Sequence, residues 1–394
     1  MIIKRQLTET IIKVATQFPV VAIVGPRQSG KTTLAQQHFP NHKYISLEDF
    51  DTRAIAETDP RRFLNDYPTA QGLILDEIQH APQLLSYIQT IVDREKKNGF
   101  FVITGSQNFL VDESVTQTLA GRIAILTLFP LSISELEEAK LLPEKIEDVI
   151  YKGSYPRAYT DSTSIEFLYA NYIRTYVERD VRQIKNVESL ETFQRFMRLC
   201  AGRIGQVQNL SALGNDCGID HKTAKAWINL LQASYIIFLL YPYYRNFGKT
   251  LTKAPKIYFV DTGLACSLLN IRSSDNLQEH YLRGNLVQSF IIGDILKQQH
   301  NLALRPNIYF WRDHVGKELD LIIDETSPIA IEIKAGKTIA RDFFKELSNW
   351  QEITQLKNNN RYLIYGGDTS HTLPQAEVRS WKSSGTLIKE ILGR

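Results

Sequence analysis

Residues 25–32 read Gly-Pro-Arg-Gln-Ser-Gly-Lys-Thr. Two glycines bracket four residues, and a lysine and a hydroxyl residue follow. That is the spacing of a phosphate-binding loop. The apolar run Val20–Val24 before it predicts a buried strand, and residues 33–37 after it predict the start of a helix. A loop between strand and helix turns backbone N–H groups toward one point, and the helix N-terminus adds positive potential there. Gly25, Pro26, Arg27, Gln28, Ser29, Gly30, Lys31, Thr32 and Thr33 are therefore the candidate ATP-binding residues. Lys31 is expected to contact the terminal phosphates and Thr32 to hold Mg²⁺. The alternative is a glycine-containing turn that binds nothing; the strand–loop–helix context argues against it.

A second segment fits the same chemistry. Leu73-Ile74-Leu75-Asp76-Glu77 is an apolar strand ending in two carboxylates. Asp76 is expected to hold Mg²⁺ through its water shell and Glu77 to polarise the attacking water. The bland alternative is a capped strand end, since Asp-Glu often opens a helix. Residues 101–106, Phe-Val-Ile-Thr-Gly-Ser, again run from an apolar strand into small polar residues. Thr104 or Ser106 could sense the γ-phosphate, and the sequence does not say which faces the site. Arg122, after a small-residue turn, and Arg157, in a proline-containing loop, are candidates to touch that phosphate, in cis or from a neighbouring subunit. For each, a surface ion pair is the commoner role.

Strands are expected at 20–24, 43–47, 72–75, 100–104 and 123–128, with helices between them, 83–97 among these. This alternation predicts an α/β fold with a parallel sheet covered on both faces. Ligands of such sheets bind at the carboxyl ends of the strands, where the loop at 25–32 would lie.

At 394 residues the chain has room for two or three domains. No apolar run approaches the roughly 20 residues that span a bilayer, and the N-terminus lacks a signal-peptide core. Cys200, Cys217 and Cys266 are too few and too scattered for a disulfide framework or a zinc site, and the histidines form no metal-spaced pair. The expectation is a cytoplasmic protein without a membrane partner. Charge is uneven: residues 161–275 carry a net +4, against −2 before and +1 after. The middle segment is thus the part best suited to a polyanion.

That segment predicts helices at 193–204, 210–217 and 221–233, the last capped by Asp220, and then strands at 235–242 and 256–260. Helix–turn–helix followed by a hairpin is the winged-helix order. His221, Lys222 and Lys225 would line the exposed face of the helix at 221–233, where it could enter a major groove of double-stranded DNA, and the loop joining the strands is basic, with Arg245, Lys249 and Lys253. An interdomain packing module is an equal alternative.

The tail carries Glu318-Leu319-Asp320-Leu321-Ile322-Ile323-Asp324, a turn, and Ile329-Ala330-Ile331-Glu332-Ile333-Lys334. Both runs alternate at strand period, so Glu318 shares a face with Asp320, and Glu332 with Lys334. Asp followed by Glu-x-Lys after a turn is the constellation of PD-(D/E)xK nucleases. There two carboxylates hold Mg²⁺ while lysine helps orient a hydroxide. Gln288, in the helix expected at 284–297, stands where that fold often has an acid, which weakens metal binding unless Glu318 compensates. A strand pair with cross-strand salt bridges is the structural alternative.

Taken in order, several segments resemble one known family. They are 25–33, Leu-Asp-Glu-Ile-Gln at 75–79, Thr-Gly-Ser-Gln at 104–107, Leu-Ala-Gly-Arg at 119–122 and Phe-Pro-Leu-Ser at 129–132. Gly-Ser-Tyr-Pro-Arg at 153–157, Lys-Ile-Tyr-Phe-Val-Asp-Thr-Gly-Leu at 256–264 and Glu-Leu-Asp at 318–320 continue the match. They are similar to the prokaryotic AAA-superfamily ATPases with a C-terminal domain of unknown function, the AAA_14/DUF4143 proteins. The resemblance covers nearly the full length. It implies an AAA-type ATPase domain at 1–160, a helical or winged-helix domain at 161–275 and a nuclease-like domain at 276–394. It also implies ATP and Mg²⁺ as ligands, and a homo-oligomer or another protein as partner. Three functions fit: an ATPase acting on or near DNA, a nucleotide-controlled switch or scaffold with little turnover, and an ATP-regulated, metal-dependent DNA nuclease.

Overall fold

The computed structural model describes residues 1–66, 72–106, 118–177, 189–243, 254–355 and 360–393. The chain packs as two compact units. One is Met1–Leu131 with Ala233–Tyr235 and His300–Leu304; the other is Ser132–Gln232 with Ile236–Gln299 and Arg305–Arg394.

The first unit is built on five strands, β1 (Val20–Val24), β2 (Lys43–Ser46), β3 (Leu73–Asp76), β4 (Phe101–Gly105) and β5 (Ile123–Thr127). They lie in the order β2-β3-β4-β1-β5, and every pairing is parallel. β1 is Val-Val-Ala-Ile-Val and buried throughout, as a central strand covered on both faces must be. Its side chains alternate between two cores. Val21 and Ile23 pack with Leu7, Ile11 and Leu34. Val20, Ala22 and Val24 pack on the other face with Phe63, Leu84 and Ile88. The helices Leu7–Ala15 and Lys31–His38 thus cover one face, and Pro60–Asn65 and Leu84–Glu95 the other. Each expected strand lies within two residues of an observed one, and the expected parallel, doubly covered sheet is present.

The second unit holds an eight-stranded mixed sheet, β12-β13-β11-β10-β9-β8-β6-β7. Its strands are β6 (Ile237–Pro242), β7 (Lys256–Phe259), β8 (Ile308–Arg312), β9 (Glu318–Ile323), β10 (Ile329–Lys334), β11 (Arg361–Tyr365), β12 (His371–Thr372) and β13 (Glu377–Ser380). Before it come the helices Leu190–Gly202, Leu210–Cys217 and His221–Ala233. Phe193 and Phe196 meet Trp227 edge-on, with centroids 5.1 and 5.2 Å away. Asp220 caps the third helix, accepting from Thr223 N at 2.9 Å. β6 and β7 pair antiparallel, as a hairpin after those helices should. Yet β6 also pairs in parallel with β8, Tyr241 against Tyr309 and Pro242 against Phe310. The hairpin is therefore the edge of the large sheet, where the sequence suggested a separate wing. Arg245, Lys249 and Lys253 lie outside the described residues. Among the described residues no helix is long and apolar enough to cross a membrane.

Candidate nucleotide site

The parallel register gathers the ends of β1, β3 and β4 at one edge of the first sheet: Val24 pairs with Gly105, and Leu75 with Ile103. Gly25 leaves β1 there with φ +144°, and a Cβ on it would lie 2.2 Å from the Leu128 carbonyl oxygen. Only glycine fits this exit from the strand. Gly30 has φ +96° and opens the helix Lys31–His38, which has no side-chain cap on its first N–H groups.

The loop is held from outside itself. Arg5 Nη1 donates to Ser29 O at 2.7 Å, and its Nη2 donates to Phe129 O at 2.5 Å. Arg27 is buried, with Nη1 3.7 Å from the Glu48 carboxylate. Lys31 is buried, and its Nζ donates to Gly25 O at 3.1 Å and Pro26 O at 2.9 Å. Burial pulls the Lys31 ammonium down to about 8, against the pull of the Glu77 and Asp76 charges. Ser29 Oγ is buried with no hydrogen-bond partner among the described residues. Thr33 points outward from the helix and is exposed.

Asp76 ends β3, and three hydroxyls converge on it. Thr32 Oγ1 donates to Oδ1 at 2.9 Å and lies 3.1 Å from Oδ2. Tyr44 OH, from β2, donates to Oδ2 at 2.9 Å. Thr104 Oγ1, from β4, donates to Oδ1. Burial, with the Asp76 charge beside it, pushes the Tyr44 phenol up to about 12, so it remains a donor across the physiological range.

Glu77 follows with φ +55°, a left-handed conformation uncommon for a side chain of this kind. Its N–H donates to Thr104 Oγ1 at 3.1 Å, and its carboxylate accepts from the Gln79 amide. Gln79 also donates to Ser106 Oγ at 3.1 Å. Burial opposes the Glu77 charge, but Lys31, the Gln79 hydrogen bond and Arg27 outweigh it, so the carboxyl sits below its ordinary range. Thr104 thus braces both acidic residues, while Ser106 meets Gln79 and also helps hold the Glu77 carboxyl down by a hydrogen bond.

These side chains suit a magnesium-chelated triphosphate. The glycines leave the backbone open, Ser29 Oγ is a buried polar atom with a bond to give, and Thr32 and Asp76 are hard oxygen donors side by side.

Arg122 is not brought to this edge. It immediately precedes β5, and its carbonyl accepts from Val20 N at the start of β1. Since β1 and β5 run parallel, Arg122 lies at the opposite edge of the sheet from Gly25, roughly 20 Å away at about 3.3 Å per strand residue. There it makes a two-point pair with Asp93, at 2.6 and 3.0 Å. The expectation that it touches a phosphate held within the same chain is corrected accordingly. Arg157 belongs to the second unit, where its Nε donates to Asp161 at 2.9 Å. Arg5, Tyr44 and Gln79 were not singled out from the sequence. Only Gln79, two residues past Glu77, lies inside a motif; Arg5 and Tyr44 reach the site through the fold.

In the second unit, β9 and β10 pair antiparallel with Leu321 opposite Ile331, which sets Asp320 beside Glu332. Asp320 accepts from Gln288 Nε2 at 2.9 Å and from Ile333 N at 2.8 Å. Gln288 lies on the helix Arg283–Asn301. Glu332 is buried; Lys334 Nζ is 2.7 Å from its Oε1, and its Oε2 has no hydrogen-bond partner among the described residues. Burial raises both carboxyls, and the Asp320 charge lifts Glu332 further. Glu318 does not complete a three-carboxylate set: it is ion-paired with the buried Lys256 and, at 3.5 Å, with Arg312. Among the described residues no group of three or more His, Cys, Asp or Glu side chains could hold a metal.

Three domain models match parts of this chain. An AAA domain, AAA_14, matches residues 17–137. A domain of unknown function, DUF8612, matches 143–275, and another, DUF4143, matches 283–382. An uncharacterized protein of Mycobacterium tuberculosis is 28% identical over 343 residues, 85% of this chain and 74% of that one. Among solved structures, a Walker-type ATPase of Pyrococcus abyssi is similar over 68% of this chain and 96% of that one, with 16% identity and a TM-score of 0.47. RuvB of Thermotoga maritima, a Holliday junction branch migration motor, covers 60% of this chain and 89% of its own, with 17% identity and a TM-score of 0.30. The chain thus carries matches to an AAA_14 domain and a DUF4143 domain, in the order its motifs predict.

Proposed function

We propose that the chain binds Mg-ATP in the first unit and hydrolyses it, and that it works on or near DNA. The contact of Thr32 with Asp76, beside a buried lysine in a glycine-framed loop, carries this reading. Lys31 exchanges its two carbonyl partners for phosphate oxygens. Its ammonium and the loop N–H groups then stabilise charge at the transferring phosphoryl group. Mg²⁺, when bound, neutralises phosphate charge and polarises the scissile bond. Thr32 and Asp76 hold its position. Glu77, ionised and steadied by Gln79, orients and polarises the attacking water. Thr104 couples the two acids, and Ser106 fixes Gln79. Arg122 serves a nucleotide only when presented by a second copy.

The DNA part of the reading is supported by His221, Lys222 and Lys225, all exposed on one capped helix in the most basic third of the chain. The test is steady-state ATP turnover with and without duplex DNA, with Glu77→Gln as control. Turnover that Glu77→Gln abolishes and DNA stimulates supports it. Binding of ATP without turnover under either condition points instead to the nucleotide-controlled switch.

A second reading, an ATP-regulated nuclease, is favoured by one observation. Glu332 Oε2 is buried beside Asp320 and Lys334 and unpartnered among the described residues. Asp320 and Glu332 would hold a divalent ion and Lys334 would orient the attacking hydroxide, with the Gln288 amide in place of a third acid. Supercoiled plasmid with Mg²⁺ or Mn²⁺ tests it. Nicking lost in Asp320→Ala supports the reading, and an intact plasmid defeats it.

A further inference from the structure

Asp76 is held from both sides by strands that lie far from it in sequence. β2 and β4 flank β3, and each sends one hydroxyl to the carboxylate. Tyr44 donates to Oδ2 at 2.9 Å from the β2 side, and Thr104 donates to Oδ1 from the β4 side. One fixed donor on each oxygen leaves the carboxylate a single orientation. Thr32 also touches both oxygens, but it must turn a lone pair toward a cation if it is to ligate one. Oδ2 then keeps Tyr44 as its partner.

We propose that Tyr44 is a positioning residue for magnesium, its phenol fixing the Asp76 carboxylate so that the remaining lone pairs face the Thr32 hydroxyl. This rests on the Mg-ATP reading above. Tyr44 sits on β2, whose register sets Ser46, two residues on, against Asp76. Tyr44 therefore lies diagonal to Asp76 across the strand pair, and its phenol spans that offset to the carboxylate. Without it, Oδ2 has no fixed donor once Thr32 turns, and the Asp76 side chain can rotate away from the metal position. Outer partners of this kind commonly change metal affinity 10- to 100-fold.

Tyr44→Phe keeps the ring and removes only the oxygen. Association of ATP is measured by calorimetry in EDTA. Binding of Mn²⁺ to the protein–ATP complex is then followed by electron paramagnetic resonance, and the unfolding midpoint is taken without ligand. The expected result is metal-free ATP affinity within about twofold of wild type, an unchanged midpoint, and Mn²⁺ affinity lower by about tenfold or more. Equal Mn²⁺ affinities in the two proteins overturn the proposal. A midpoint and metal-free affinity that fall together also overturn it, because they show a packing role. Wild-type protein that binds no ATP at all is a separate outcome, which removes the Mg-ATP reading and this assignment with it.

Discussion

The Thr32 hydroxyl touches both oxygens of the Asp76 carboxylate, at 2.9 and 3.1 Å, although 44 residues separate them in the chain. The parallel sheet makes this contact, by ending β1 and β3 at the same edge. Thr32→Val keeps the shape and removes the hydroxyl. It should leave metal-free ATP binding within a few-fold of wild type and reduce the gain in affinity on adding Mg²⁺ by about tenfold or more. Calorimetry with and without Mg²⁺ reads this difference. An unchanged gain would place the cation elsewhere.

Glu77 is buried, ionised and fixed by Gln79, and it meets the loop only through the charges of Lys31 and Arg27 among the interactions described. Glu77→Gln should therefore separate binding from chemistry. Turnover should fall about 10²- to 10⁴-fold while ATP affinity stays level or rises. Single-turnover kinetics with a parallel binding titration check both halves.

Lys31 gives the site a pH dependence with a definite sign. Its ammonium loses its proton near pH 8, where an ordinary lysine waits until 10.5, because burial disfavours the charge. A bound triphosphate favours the charged form. ATP affinity should be flat below about pH 8 and fall above it, by up to tenfold per pH unit, until the pH passes the value Lys31 takes in the complex. Lys31→Ala should bind weakly without that break. Fluorescence titration between pH 7 and about 9.5 would show it, and a flat profile for wild type would remove Lys31 from the phosphates.

Arg122→Ala should leave turnover per chain within about twofold when the protein is monomeric, since its guanidinium is committed to Asp93 at the far edge of the sheet. A loss that grows with protein concentration would instead mark presentation by a second copy.

Gly25→Ala forces a methyl group to within 2.2 Å of the Leu128 carbonyl oxygen, at a φ of +144°. The chain must shift, at a cost of about 1–3 kcal/mol. Denaturant midpoints should fall, and nucleotide affinity with them.

Much of this was legible in the sequence because it is local. A glycine-framed loop after Val20–Val24, two acids closing Leu73–Asp76, and alternation through 318–323 and 329–334 each lie within one short window. The hairpin register follows from its turn, so Asp320 and Glu332 could be paired in advance. What was not legible depends on strand order and direction. Arg122 precedes its strand, so parallel pairing sends it away from the loop. Tyr44 reaches Asp76 only because β2 neighbours β3, and Arg5 reaches Ser29 from a segment before the first helix. Thr104 meets Asp76 and Ser106 meets Gln79 only because β4 neighbours β3, which neither local sequence shows. Glu318 shares the Asp320 face as its spacing predicts, but Lys256, from a strand 62 residues earlier, claims its carboxylate.

The central claim is that the first unit grips a magnesium-chelated triphosphate through Lys31. Isothermal calorimetry of wild type and Lys31→Ala against ATP, with Mg²⁺ present, tests it most directly. One site per chain is expected in the wild type, with an affinity at least about tenfold weaker in Lys31→Ala. Folded wild-type protein that gives no heat with ATP, or a Lys31→Ala variant that binds as tightly, would contradict it.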